Sequence, residues 1–236
     1  MGALTEAVSW HRKALELAPN FTSAMNNLAI VYKYMGNLAE FHSIYKQLVA
    51  RDPDDATIHS NLLMGLHYRE AEDGEAILKA HRDWAARHEV AEIRFFTNPP
   101  HQDRRLRIGY VSPDFWTHSV ANFVTAPLRH HDRAAFHVSC YSDVLKPDDT
   151  TRKLRALADV WRDVRVMDDR ALAERVIADE IDILINLAGH TADNRLKIFS
   201  RRVVPIQMTW VGYPATSGLK QMDYRVSDSM ADPPGG

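Results

Sequence analysis

The chain has 236 residues, 45% of them hydrophobic and 25% charged. That is enough apolar material for one large domain or two smaller ones, and it argues against a disordered chain. With 29 Lys and Arg against 31 Asp and Glu, a formal net charge of −2, there is no electrostatic reason to expect nucleic acid or an anionic membrane as partner. The single cysteine, Cys140, excludes an intrachain disulfide and reads as a buried small hydrophobe on a strand rather than a nucleophile. No basic stretch leads into an apolar run, and no apolar segment approaches the length of a membrane span. A reducing, cytoplasmic location is expected.

The first third of the chain repeats. Gly2 and Gly36, Leu4 and Leu38, Glu6 and Glu40, Pro19 and Pro53, and Asn27 and Asn61 are each 34 residues apart, the period of tetratricopeptide helical hairpins. Ala7, Val8, Ala14, Leu15 and Leu17 mark a first helix that Pro19 stops. Helical spacing predicts further helices over about 21–34, through Phe41, Ile44, Tyr45 and Leu48 to a stop near Asp52-Pro53, over about 55–68, and over about 73–88 with Ile77, His81 and Trp84. Gly36-Asn37 supplies a turn. The chain starts inside a repeat, so a longer protein or a capping molecule is expected at that end. The arm reads as a protein- or peptide-binding surface, with a structural spacer as the alternative, and repeats of this kind also offer a route to oligomers.

Phe96-Thr97-Asn98-Pro99-Pro100 breaks helix and marks a boundary between residues 1–95 and 104–236. Beyond it strands and helices alternate. Strands are predicted at Leu106–Ser112, 136–141, 181–187, 206–211 and Tyr224–Val226, and helices near 120–130, 150–158, 170–179 and 195–200. That order implies a parallel sheet with helices on both faces, whose ligands sit beyond the carboxyl ends of the strands. Three post-strand loops should therefore converge on one rim: Ser112-Pro113-Asp114-Phe115-Trp116-Thr117-His118-Ser119, Ala188-Gly189-His190-Thr191-Ala192-Asp193-Asn194, and Gly212-Tyr213-Pro214-Ala215-Thr216-Ser217-Gly218. No nucleotide-triphosphatase phosphate loop and no Gly-x-Gly-x-x-Gly fingerprint occurs. The 12 histidines form no recognised metal-ligand spacing, so no metal is expected.

These loops, in this order and after such repeats, resemble the protein O-GlcNAc transferase family, most nearly its SPINDLY branch. The resemblance is carried by Leu106-Arg107-Ile108-Gly109-Tyr110-Val111-Ser112-Pro113-Asp114-Phe115, Thr117-His118-Ser119-Val120, Asp182-Ile183-Leu184, Gly189-His190-Thr191, Pro205-Ile206-Gln207, Trp210-Val211-Gly212-Tyr213-Pro214, Asp223-Tyr224-Arg225 and Asp228-Ser229-Met230-Ala231-Asp232-Pro233-Pro234. It implies a tetratricopeptide α-solenoid over residues 1–95 followed, at 104–236, by the first Rossmann-like lobe of a GT-B catalytic core. It also implies metal-free sugar transfer from a nucleotide sugar to Ser or Thr of proteins drawn in along the repeat arm, with no cofactor beyond that co-substrate. The family's second lobe, which binds most of the nucleotide and supplies a lysine for the diphosphate, has no counterpart here. This stretch alone is therefore expected to lack turnover, and a second lobe is expected past Gly236. UDP-N-acetylglucosamine is the family's default donor; GDP-fucose is the alternative, because the SPINDLY branch in plants uses it. A non-catalytic interaction scaffold is a further alternative.

The resemblance places Asp114 and His118 near the sugar and the attacking hydroxyl. Asp114 is read as a proton acceptor, direct or through water, or else as an N-cap of the following helix. His118 is read as a positioner of donor or acceptor, or else as a hydrogen-bonded structural histidine. His59 matches a family histidine that reaches the active site and is a candidate base. Gly189, His190 and Thr191 stand where the glycine permits close backbone approach to a ligand; His190 replaces a tyrosine of the O-GlcNAc branch. Val211, Gly212, Tyr213 and Pro214 resemble a loop that touches the sugar ring, with a purely structural turn as the alternative.

Overall fold

A computed structural model describes residues 2–68, 73–90, 96, 98–99 and 104–232. Thr97 and Pro100 of the expected boundary, and Pro233 and Pro234 of the last motif, lie outside the described residues. The chain divides into two compact units, Met1–Arg87 and His88–Gly236.

The first unit is helical. α1 (Gly2–Leu17), α2 (Thr22–Tyr34), α3 (Leu38–Arg51), α4 (Ala56–Leu66) and α5 (Gly74–His88) follow the expected order. α2 ends as the sequence suggests. Gly36 takes φ +75°, and the Asn37 and Gly36 amides return to the carbonyls of Tyr32 and Lys33, a turn that glycine enters without the Cβ penalty. Asn37 then caps α3 through the Glu40 amide, and Asp55 caps α4 through the amides of Thr57 and Ile58. Met25, Leu28, Ala29, Tyr32, Phe41, Ile44, Tyr45, Leu48 and Ile58 form one buried core across α2 to α4. α5 is tied to α4 through Trp84, buried, whose indole N–H donates to the Ala56 carbonyl at 3.1 Å.

The second unit is a six-stranded sheet in the order β3-β2-β1-β4-β5-β6. The strands are β1 (Leu106–Ser112), β2 (Phe136–Ser142), β3 (Val160–Asp163), β4 (Ile183–Asn186), β5 (Ile206–Trp210) and β6 (Tyr224–Val226). Every neighbouring pair is parallel. α6 (Ser119–His130), α7 (Asp149–Arg155), α8 (Asp169–Ala178) and α9 (Leu196–Ser200) fill the connections. The sequence gives no sign of β3. It is a four-residue edge strand, only partly buried, and its second half is Arg162-Asp163, so no apolar run advertises it. Central strands are the legible ones: β1 and β2 bury their last five residues, as parallel strands covered on both faces must. Ile108, Tyr110, Val138 and Cys140 pack against Val120, Ala121, Val124 and Leu128 of α6. Cys140 is fully buried, as expected, and burial pushes its thiol well above the usual range. Among the described residues no helix is long and apolar enough to cross a membrane.

Candidate active site

Because all six strands run parallel, the loops after β1, β4 and β5 leave the same edge of the sheet, and the three expected segments share one rim. The first is held at both ends. Ser112 Oγ accepts the Asp114 amide at 2.9 Å, and the Asp148 carboxylate accepts the Thr117 amide at 2.8 Å. Asp148 also builds a capping box with Thr151 at the start of α7. Between these ties Phe115 is fully buried, its ring 5.3 Å from that of Trp161, which turns Asp114 and His118 to one side.

Asp114 and His118 come together: Nδ1 of His118 lies 3.8 Å from Oδ1 of Asp114. The helix cap is His118, whose Nδ1 accepts the Val120 amide at 3.3 Å, so the alternative of Asp114 as N-cap does not hold. When neutral, the imidazole therefore carries its proton on Nε2. Burial pushes the Asp114 carboxyl above its usual range; His118 and the Trp116 side chain oppose that rise, and Asp193 adds to it. A carboxyl so placed is a better proton acceptor than an exposed one.

The other two loops lock onto each other. Asn186 Oδ1 accepts the amides of Ala188 and Gly189, at 3.1 and 2.6 Å, and turns the chain sharply after β4. Gly189 takes φ +56°, and a Cβ there would stand 2.2 Å from Cβ of Tyr213. A Cβ on Gly212 would stand 1.7 Å from the Leu187 carbonyl oxygen. Both glycines are thus required by loop-on-loop packing. His190 is fully buried; its Nε2 donates to the Ser217 carbonyl at 3.0 Å, and its ring meets that of Tyr213 edge-on at 5.3 Å. Burial raises the Tyr213 phenol, so Tyr213 stays protonated. Thr191 closes the turn by donating to the Ala188 carbonyl at 2.8 Å. Val211 carries φ +59°, with the Gly212 amide bonded to the Trp210 carbonyl at 2.8 Å. For a β-branched residue that is a strained three-residue turn, and Tyr213-Pro214 follows it directly.

Sequence reasoning missed what ties the rim together. Asp143, buried in the loop after β2, receives Nε of Arg195 at 2.7 Å and a second guanidinium nitrogen at 3.2 Å. Arg195 also reaches Asp169 at 3.0 Å, and Arg165 reaches Asp193 at 3.3 Å. The only signal was an Arg and an Asp at loop positions 52 residues apart, which no local pattern joins.

His59 lies on α4 in the helical unit, half-buried. Burial lowers its imidazole, Arg87 adds to that, and Asp83 opposes it, so it is biased toward the neutral form a base requires. Among the described residues no group of three or more His, Cys, Asp or Glu side chains is placed to hold a metal ion. A cavity of about 500 Å³ lies on the sheet away from the rim, with Arg104, Arg105, Arg107 and Arg162 in its lining. These arginines are engaged: Arg162 grips Asp179, Arg107 pairs with Glu180, and Arg104 pairs with Asp182.

A model described as glycosyl transferase family 41 matches residues 85–234. A relative from Oryza sativa subsp. japonica, described as a probable UDP-N-acetylglucosamine–peptide N-acetylglucosaminyltransferase SPINDLY, is 41% identical over 80% of this chain and 21% of its own. A relative of the same description from Hordeum vulgare is 43% identical over 78% of this chain and 20% of its own. One from Arabidopsis thaliana, described as the corresponding SEC protein, is 34% identical over 66% of this chain and 17% of its own. A solved structure of Thermobaculum terrenum O-GlcNAc transferase, the K341M mutant, superposes with a TM-score of 0.91 at 36% identity, covering 95% of this chain and 44% of that one. The chain thus spans about a fifth of the length of the curated relatives.

Proposed function

The chain belongs to glycosyl transferase family 41, and on that premise we propose that it forms the acceptor-side part of a protein O-glycosyltransferase that moves N-acetylglucosamine from UDP-N-acetylglucosamine to Ser or Thr. Residues 1–95 serve as a tetratricopeptide arm that leads the acceptor polypeptide in, and residues 104–236 as the first Rossmann-like lobe of a GT-B core. The observation that carries this reading is the Asp114–His118 pair, at 3.8 Å, on the carboxyl rim of a parallel sheet.

The chemistry follows from what transfer requires. The hydroxyl must lose its proton as its oxygen attacks the anomeric carbon and the bond to the diphosphate breaks. Asp114, held above its usual range, takes that proton directly or through a water. His118, fixed by the α6 amide, presents Nε2 to the sugar or the hydroxyl. His59 contributes as a second basic group from the arm. Gly189, His190, Thr191, Val211, Gly212, Tyr213 and Pro214 make the wall on the sugar, with His190 and Tyr213 acting from beneath by fixing both loops. No metal or cofactor enters this scheme.

The test is a chimera that joins this chain to the remaining part of the Thermobaculum terrenum transferase, offered UDP-N-acetylglucosamine or GDP-fucose with a Ser/Thr peptide. A peptide heavier by one N-acetylhexosamine supports the reading. A deoxyhexose adduct replaces the donor, and no adduct with either donor overturns transfer itself.

A further inference from the structure

The cavity of about 500 Å³ lies toward the amino ends of β1, β2 and β3, away from the carboxyl rim. Its floor is one face of the sheet. Arg107 is in register with His137, Ser139 with Val160, and Tyr141 with Arg162, and residues two apart on a strand share a face. Arg107, His137, Ser139 and Arg162 therefore line it together, and Asp179 and Glu180, just past α8, form its wall. A volume of this size suits a small molecule rather than a bare ion.

The arginines of the cavity differ in how firmly they are held. Arg162 is fixed. The Asp179 carboxylate accepts its Nε at 2.6 Å and its Nη2 at 2.5 Å, and also the Tyr141 hydroxyl at 2.8 Å. Those two bonds spend only part of a guanidinium's five N–H donors. Arg104 is matched by Asp182, reaching both of its oxygens. Arg105 and Arg107 are held loosely. Arg105 stands 3.7 Å from Asp159, a carboxylate that Arg133 already takes at 2.6 Å. Arg107 meets Glu180 at 3.0 Å, in a pair whose side chains are 42% and 56% exposed, and such a pair contributes little. Two accessible guanidinium groups thus share one exposed carboxylate at the cavity. Glu180 carries φ +51°, a position after a helix that favours glycine. The backbone gives no reason for a glutamate there; its charge against Arg107 does.

We propose that this cavity binds a small phosphate monoester, which takes Arg105 and Arg107 in exchange for the Glu180 carboxylate. Guanidinium forks match phosphate oxygens two at a time, and two cations match the charge of the dianion. Arg162, held in place by Asp179, presents a third guanidinium at the floor. The Ser139 hydroxyl and the rest of the volume take the organic part. Glu180, being exposed, turns to solvent as the phosphate enters.

The test needs only this chain. Amide NMR spectra are titrated with glucose 6-phosphate, inorganic phosphate and glucose as probes. Glucose 6-phosphate should shift the amides of Arg105, Arg107, Ser139 and Arg162 and saturate. Inorganic phosphate should bind more weakly at the same amides, and glucose should not bind. Arg105→Gln with Arg107→Gln should weaken the sugar phosphate by about tenfold or more, while Glu180→Gln should tighten it several-fold. Urea unfolding checks that the double variant folds, and Arg105→Gln alone, at an exposed side chain, gives the same direction of change if it does not. Absence of saturable shifts with both phosphates overturns the proposal. So does affinity that is unchanged in the arginine variants, or that falls in Glu180→Gln.

Discussion

Nδ1 of His118 stands 3.8 Å from the Asp114 carboxylate while accepting the Val120 amide that opens α6. One imidazole edge therefore both ends a loop and begins a helix, and the catalytic and structural readings of His118 are joined in one residue.

They come apart on substitution. His118→Ala should cost about 1 kcal/mol of stability through the lost cap and cut transfer by more than tenfold, roughly 1.4 kcal/mol of barrier. His118→Asn should recover the stability, since asparagine caps well, and leave transfer low. Urea unfolding and peptide transfer measured on both variants check this; recovery of transfer by Asn would reduce His118 to a cap.

Asp114 carries a pH signature. Its folded carboxyl titrates above the unfolded one because burial disfavours the charge, so the folded state binds the proton more tightly. The stability this group contributes is present at acid pH and is lost as pH rises through the folded value. Asp114→Asn should therefore raise Tm at neutral pH, with the gain vanishing below the ordinary carboxylate range. Under the proposed role of Asp114 as proton acceptor, transfer should fall as pH drops through the same window. Thermal melts at several pH values check the first part, and a pH–rate profile checks the second.

The rim loops tolerate no Cβ at their contact. Gly212→Ala drives a methyl to 1.7 Å from the Leu187 carbonyl oxygen and should cost about 3 kcal/mol, the upper range for overpacking. Gly189→Ala meets the Tyr213 side chain and a positive φ together and should cost a similar amount. Equilibrium unfolding reads both.

The Asp143–Arg195 pair ties the loops after β2 and β4. Asp143→Ala leaves a mostly buried guanidinium short of its partner and should cost about 3–5 kcal/mol. Asp143→Leu combined with Arg195→Met removes both charges and should cost less than the single change. A double-mutant cycle by urea unfolding decides it.

Much of this was legible in order along the chain. The 34-residue coincidences, the Pro stops and the run Leu106–Ser112 set the elements, because each is a local pattern with one structural solution. Val160–Asp163 was not, since an edge strand needs apolar residues on neither face. Asp114 and His118 were legible as residues of a post-strand loop. Their approach to 3.8 Å and the tie of His118 to the α6 amide were not, because so short a stretch of irregular chain has no period to read. The glycines were legible as special, yet the reason lay elsewhere: Gly189 makes room for Tyr213 and Gly212 for the Leu187 carbonyl, contacts between segments over 20 residues apart.

The most direct test of the account is the rate of sugar transfer to a Ser/Thr peptide by the chimera, with and without Asp114→Asn, at neutral pH. A peptide gaining one N-acetylhexosamine, at a rate that falls by about a hundredfold or more in Asp114→Asn, is the predicted result. Transfer that proceeds equally well without the carboxylate contradicts it.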